Sequence, residues 1–248
     1  MSTPEFVLGS PYPKSLDGTR LLAKQIIWYP QTESTNLLAM ACETDGTVFI
    51  ADQQTQGRGR HGTKWHSPAG KGLYFSVSLN GPLRGIAFAA AIALYNALSL
   101  MIPIRLKWPN DLLCNTRKVG GILIEQRENR IALGIGVNVN HDLEDFPPSL
   151  RHKAGSLRIA SGETKDLQAL FYTVIMHLDA AVQRLKSGQL LAVHEEWVKA
   201  CDLIGKEISR GNISGRVTAI DMEGTLFVET IAGIQRIEYG DITIPNSP

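Results

Sequence analysis

The chain has 248 residues, 44% of them hydrophobic and 20% charged, with a formal net charge of +1. That length holds one large domain, or a medium one with a small appendage, and the balanced charge offers no global basic field to duplex nucleic acid. No apolar run reaches the ~20 residues of a membrane span, residues 1–16 lack the apolar core of a signal peptide, and Cys42, Cys114 and Cys201 lie too far apart for a CxxC pair, so they read as reduced thiols of a cytoplasmic protein.

Residues 1–25 form an N-terminal extension rich in Pro, Gly and Ser, expected to pack loosely until Ile26-Ile27-Trp28 opens the first strand. Ser34-Thr35-Asn36 ahead of Leu37 to Ala41 reads as a capped helix start. Val48 to Ala51 is a strand, and a long glycine-bearing stretch from Gln53 leads to another at Leu73 to Leu79. Residues 87–101 are helical in character, and 104–108 return to extended chain. Two more strands, at 119–125 and 131–138, flank a charged turn at 126–130. Between 166 and 186 the apolar residues recur at helical spacing, an amphipathic helix on a core, and 190–201 gives one more helix. From about Lys206 short strands punctuated by glycines suggest a small β-barrel. The division expected is an extension at 1–25, a catalytic region at 26–204 and a small β domain at 205–248.

Chemistry concentrates between residues 53 and 140. Gly57, Gly59 and Gly62 are interleaved with Arg58, Arg60 and Lys64. Glycines let backbone N–H groups approach an anion, and the arginine fork matches carboxylate and phosphate oxygens. The three glycines spell GxGxxG, but a dinucleotide fingerprint needs a helix opening at the glycines. Here Trp65-His66-Ser67-Pro68-Ala69-Gly70 follows, which reads as loop, and no GxxxxGK[ST] is present. Asn110-Asp111 after Pro109 reads by default as a turn, and Lys118 as a solvent-facing lysine, unless Gly120-Gly121 lets a ligand approach it. The asparagines closing Gly134 to Asn140 are turn formers or ligand contacts with equal weight.

Taken together, Ser34-Thr35-Asn36, the stretch from Gly57 to Ser76, KWPNDLL from Lys107, RKVGGILIE from Arg117 and GIGVNVN from Gly134 resemble the biotin protein ligase family across residues 26–246. The resemblance implies an α/β (α+β) fold, with a mixed β-sheet flanked by helices as in class II synthetases, followed by a small SH3-like barrel. It implies a biotin site at Ser34, Thr35, Asn36, Gln54, Arg58, Gly59, Arg60, Lys118 and Gly121, and an ATP site at Arg60, Trp65, Asn110, Lys118 and Asn138. Thr63 departs from relatives that carry arginine there, which leaves one adenylate-closing contact in question. About 25 residues precede the first core strand, so no winged-helix module is expected and no specific DNA binding. A homodimer is left open.

The implied reaction makes chemical sense of these residues. A carboxylate resists attack by an amine until transfer to the α-phosphorus of ATP turns it into a mixed anhydride. Both transition states are anionic and need fixed positive charge, for which Arg58, Arg60 and Lys118 are suited, with Mg²⁺ offsetting the triphosphate. Asp111 orients a group or accepts the proton of the acceptor lysine. The acceptor implied is a biotin carboxyl carrier protein. A lipoate/octanoate–protein ligase and a biotin-responsive regulator are the alternatives, and the first is disfavoured because its arginine pair followed by three glycines is absent.

Overall fold

The computed structural model describes residues 9–245. Seven strands form one mixed sheet: β1 (Ile26–Tyr29), β2 (Val48–Ala51), β3 (Gly72–Asn80), β4 (Arg105–Lys107), β5 (Asp111–Cys114), β6 (Arg117–Arg127) and β7 (Arg130–Asn138). Their spatial order is β1-β2-β3-β7-β6-β5-β4. The β1–β2 pair is parallel, because the helix α1 (Thr35–Ala41) crosses between them, and the other pairs are antiparallel.

Side chains alternate across a strand, and here the two faces have different fates. Ile131, Leu133, Ile135 and Val137 of β7 enter the main core with α2 (Ile86–Ser99) and α4 (Leu167–Lys186). The opposite face meets α1 through Ile27, Phe49, Ala132 and Ala39. Farther along the same face β7 carries Gly134, Gly136 and Asn138, and its partner β6 carries Gly121, Leu123 and Glu125. Without side chains on the glycines, this end of the sheet stays open.

The last third adds α3 (Leu157–Ser161), α5 (Leu190–Cys201) and a four-stranded antiparallel sheet, β8 (Glu207–Arg210), β9 (Ile213–Ile220), β10 (Leu226–Thr230) and β11 (Gly233–Ile237), in the order β11-β10-β9-β8. Its Ile208, Val217, Leu226 and Val228 belong to the same buried cluster as the large sheet. The Trp108 indole N–H donates to the Gly224 carbonyl at 2.8 Å, and His194 Nε2 lies 2.8 Å from the Asp221 carbonyl. No described helix is long and apolar enough to cross a membrane.

Four expectations change in detail. Within residues 9–25 the chain packs well: Tyr12, Leu22 and Ala23 are buried, and the Tyr12 ring meets Phe171 edge-on at 5.1 Å. The cause is Asp179 on α4, which accepts the N–H groups of Arg20, Leu21 and Leu22; residues 1–8 lie outside the described residues. Ser34 occupies the N-cap of α1, yet its side chain makes no capping bond. The Gln54 side chain takes that role, accepting the Thr35 N–H at 2.9 Å. The turn between β6 and β7 is only Glu128-Asn129, with Glu128 at φ 50°, so both strands run longer than the charged residues suggested. Asp111 opens β5 instead of sitting in the turn, which spans residues 108–110.

Candidate functional site

The open end of the sheet is roofed by the glycine-bearing loop, leaving a cleft of about 630 Å³, within the range of small-molecule sites. Its wall includes every residue singled out from sequence: Ser34, Thr35, Asn36, Gln54, Arg58, Gly59, Arg60, Trp65, Asn110, Asp111, Lys118, Gly121 and Asn138. Residues far apart in sequence converge because β3, β7 and β6 are neighbours.

The loop is a narrow excursion. Gln54 bridges to Ser67 and Arg58 to Lys64, and Trp65 N–H donates to the Gly57 carbonyl at 2.9 Å. A Cβ on Gly57 would lie 2.5 Å from the Trp65 carbonyl oxygen, and one on Gly59 would lie 2.6 Å from Thr63 Oγ1, so the two sides close only on glycine. No α-helix follows: a three-residue 3-10 turn at Arg60–Gly62 is all the loop contains, and a dinucleotide fold is thereby excluded. Thr63 caps that turn, its hydroxyl donating to the Arg60 carbonyl at 2.8 Å.

At one end of the cleft lies a network of hydroxyls and amides that ends on the Glu125 carboxylate. Thr35 Oγ1 is 2.7 Å from Ser76 Oγ, Ser76 donates to Asn36 Oδ1 at 2.6 Å, and Asn36 Nδ2 donates to Glu125 Oε2 at 2.8 Å. Gln54 Nε2 donates to Ser67 at 3.1 Å. At the other end stand the cations. Lys118 Nζ is 2.6 Å from Asp111 Oδ1 and 5.2 Å from the centre of the Trp65 ring. Arg60 donates to Asn110 Oδ1 at 3.1 Å, while Asn110 Nδ2 is held by the Ile122 carbonyl at 2.7 Å. Arg58 lies between the two ends, 3.7 Å from Glu125.

Lys118 is fixed by its backbone as well. Its N–H donates to the Lys153 carbonyl, its own carbonyl accepts from Gly155 N–H, and Asn138 Nδ2 donates to Gly155 at 2.9 Å. Asn138 thus spends its amide on the segment that holds Lys118. Trp65 lies over the glycines: a Cβ on Gly136 would come within 2.7 Å of the indole and one on Gly121 within 3.3 Å. Sequence reasoning missed Ser76, Gly134 and Gly136 on the cleft wall, Glu125 behind it through its bond to Asn36, and also the stretch Gly240 to Ile244 beyond β11, which closes the cleft from the small sheet. There Asp241 pairs with Lys107 at 3.2 Å.

Behind the loop, His141 is fully buried, stacked on Phe146 at 4.8 Å with its Nδ1 unpartnered among the described residues. Burial, reinforced by His66, pushes its pKa from 6.5 down to about 4. The unfolded chain therefore takes up this proton at a higher pH than the folded one. Stability is expected to be complete above pH 6.5 and to fall by about 3 kcal/mol between there and pH 4. Urea unfolding across that range checks it, and this part of the slope should vanish in His141→Gln.

A profile of the Biotin/lipoate A/B protein ligase family matches residues 28–142. The chain is 31% identical to the Bifunctional ligase/repressor BirA of Bacillus subtilis, over 91% of its own length and 76% of that protein's. With the Bifunctional ligase/repressor BirA of Escherichia coli the figures are 30%, 87% and 72%. The biotin protein ligase of Aquifex aeolicus, solved in complex with biotin and ATP, superposes with a TM-score of 0.77 at 29% identity, covering 89% of this chain and 98% of that one.

Proposed function

The chain belongs to the biotin protein ligase family and is an ATP-dependent biotin ligase, and from that premise we propose how its cleft divides the reaction. Biotin is a neutral cyclic urea joined through a short apolar chain to a carboxylate. The cleft is divided the same way, and that match carries the reading. The hydroxyls and amides of Ser34, Thr35, Asn36 and Gln54 suit the urea, and the Gly121 surface suits the apolar chain. Arg58, Arg60 and Lys118 suit the carboxylate and the α-phosphate. Gly59 leaves the loop backbone close to the acid. ATP lies with its base toward Trp65 and its phosphates toward Arg60, Asn110 and Lys118, with Asn138 supporting the Lys118 segment.

In the first step a biotin carboxylate oxygen attacks the α-phosphorus, the bond to the β-phosphate oxygen breaks, and pyrophosphate leaves. Lys118 Nζ, pre-positioned by Asp111, offsets the charge that gathers on the oxygens. Mg²⁺ brought in with ATP would offset the triphosphate charge. In the second step a neutral lysine amine of the acceptor attacks the anhydride carbonyl, an amide forms, AMP leaves, and the amine loses a proton. Asp111 is the carboxylate nearest Lys118 and the group suited to receive it. A biotin carboxyl carrier protein supplies that lysine.

ATP–pyrophosphate exchange with biotin, lipoate or octanoate as the sole acid tests the reading: exchange with biotin alone is expected, and equal exchange with lipoate would overturn it. Residues 56–70 are expected to exchange amide hydrogens more slowly once biotinyl-AMP has formed, because the loop arginines then gain anionic partners. Equal exchange with and without ligand would remove the closing loop from the mechanism. No specific DNA binding is proposed; the apolar faces of α2, α4 and α5 pack into the core. Three free cysteines accord with a cytoplasmic setting.

A further inference from the structure

Glu125 belongs to the cleft's polar network without being placed to touch either the carboxylate or the phosphates. It closes the row Gly121, Leu123, Glu125 on the cleft side of β6, and its two oxygens reach Asn36 Nδ2 at 2.8 Å and Arg58 at 3.7 Å. A carboxylate only accepts hydrogen bonds, so the amide end of Asn36 that faces it must be the NH₂ end. Asn36 Oδ1 is thereby turned toward Ser76 and lies over Gly134, where a Cβ would come within 2.2 Å of it. Ser76 has a single proton and gives it to that oxygen at 2.6 Å. The 2.7 Å contact between Ser76 and Thr35 can then be made only with Thr35 as donor. Thr35 Oγ1 also lies 3.2 Å from Gln54 Oε1, and the shorter contact to Ser76 takes the hydroxyl proton.

We infer that Glu125 is a specificity-determining positioning residue, which through Asn36 and Ser76 fixes Thr35 on the cleft wall as a pure hydrogen-bond acceptor for a urea N–H. The inference rests on placing the urea at this end of the cleft. Each group in the relay has one orientation open to it, and the direction is set by the one member that has no proton to give. Replacing the carboxylate by an amide removes that constraint: a glutamine presents oxygen or NH₂, Asn36 turns over, and Thr35 becomes free to donate.

The probes are biotin and its two cyclic carbamate analogues, in each of which one urea N–H is replaced by a ring oxygen. For the analogue whose oxygen meets Thr35, wild type is expected to favour biotin by about 100-fold in kcat/KM, since a site built around a hydrogen bond rejects the ligand that cannot make it. In Glu125→Gln the biotin KM should rise about tenfold, the ATP KM should hold, and the discrimination should fall to about tenfold or less. Glu125→Asp keeps an acceptor-only group and should retain most of the discrimination. Ser76→Ala cuts the relay from the other side and should lose it, which keeps the question open to test if Glu125→Gln does not fold. A role in packing alone would raise KM for biotin and analogue equally. Discrimination preserved in Ser76→Ala, or lost equally in Glu125→Asp and Glu125→Gln, overturns the relay. Thr35→Val separates this from the urea placement: an unchanged biotin KM there would mean that the urea binds elsewhere.

Discussion

Lys118→Ala is expected to lower biotin-dependent ATP–pyrophosphate exchange by about 10²–10³-fold, the loss usual for removing one fixed charge from a developing oxyanion. The fold should survive. The lysine side chain is 34% exposed, and the bonds that hold its backbone, to Lys153 and Gly155, do not involve it. Lys118→Arg should restore little, because a planar fork cannot occupy the place of a compact ammonium 2.6 Å from Asp111. The measurement is initial exchange rate at saturating biotin and ATP, with circular dichroism to verify folding. A variant exchanging at the wild-type rate would return Lys118 to the status of a surface lysine.

The largest loss of stability is expected at a residue far from the chemistry. Asp179 is 2% exposed and holds three backbone N–H groups, of Arg20 at 2.9 Å, Leu21 at 2.8 Å and Leu22 at 2.7 Å. Burial alone would raise its pKa, but the three N–H donors and Gln183 outweigh burial and hold it below the ordinary carboxylate range. Its contribution is therefore complete above that range and disappears as pH falls through the lowered value. Asp179→Ala leaves three donors without their acceptor, that of Leu22 in the buried interior, at a cost of about 3–5 kcal/mol. With roughly 2–4 °C per kcal/mol for a chain of this size, the thermal midpoint should fall by about 10 °C. Asp179→Asn keeps one acceptor oxygen and should lose less. An Asp179→Ala midpoint within about 2 °C of wild type, a shift of under 1 kcal/mol, would show that the N-terminal segment is held by its apolar contacts alone.

The same residue shows where sequence reading stops. Residues 9–25 look loose because their composition is that of a linker, and the group that pins them lies 159 positions from Arg20. The glycine loop and the Lys118 region are legible because their chemistry is local: close glycines, cations and no following helix. Gln54 as the cap of α1 is not legible, since Ser34 satisfies the local rule and the competing donor–acceptor pair spans a loop. Ser76 and Glu125 pass for ordinary members of strands until the pairing of β3, β7 and β6 sets them beside Asn36. β5 is obscured by Pro109-Asn110-Asp111, whose turn ends one residue earlier than the rule for Asn and Asp suggests.

Gly121 and Gly136 are register partners, and Gly134 lies two residues back along β7 on the same face. Glycine inside a strand weakens a sheet, since it adds chain entropy and packs nothing. Here the room these glycines leave is taken by other parts of the site, Trp65 over Gly136 and Gly121 and Asn36 over Gly134. On the placement proposed above, a biotinyl group packs against this covered floor and adds apolar contact that only the folded form can offer. A ligand that binds only the folded form adds about 2.7 kcal/mol at a hundred times its Kd. Resistance to unfolding should accordingly track the local supply of the vitamin, and a starved cell would hold this enzyme in its most perishable form.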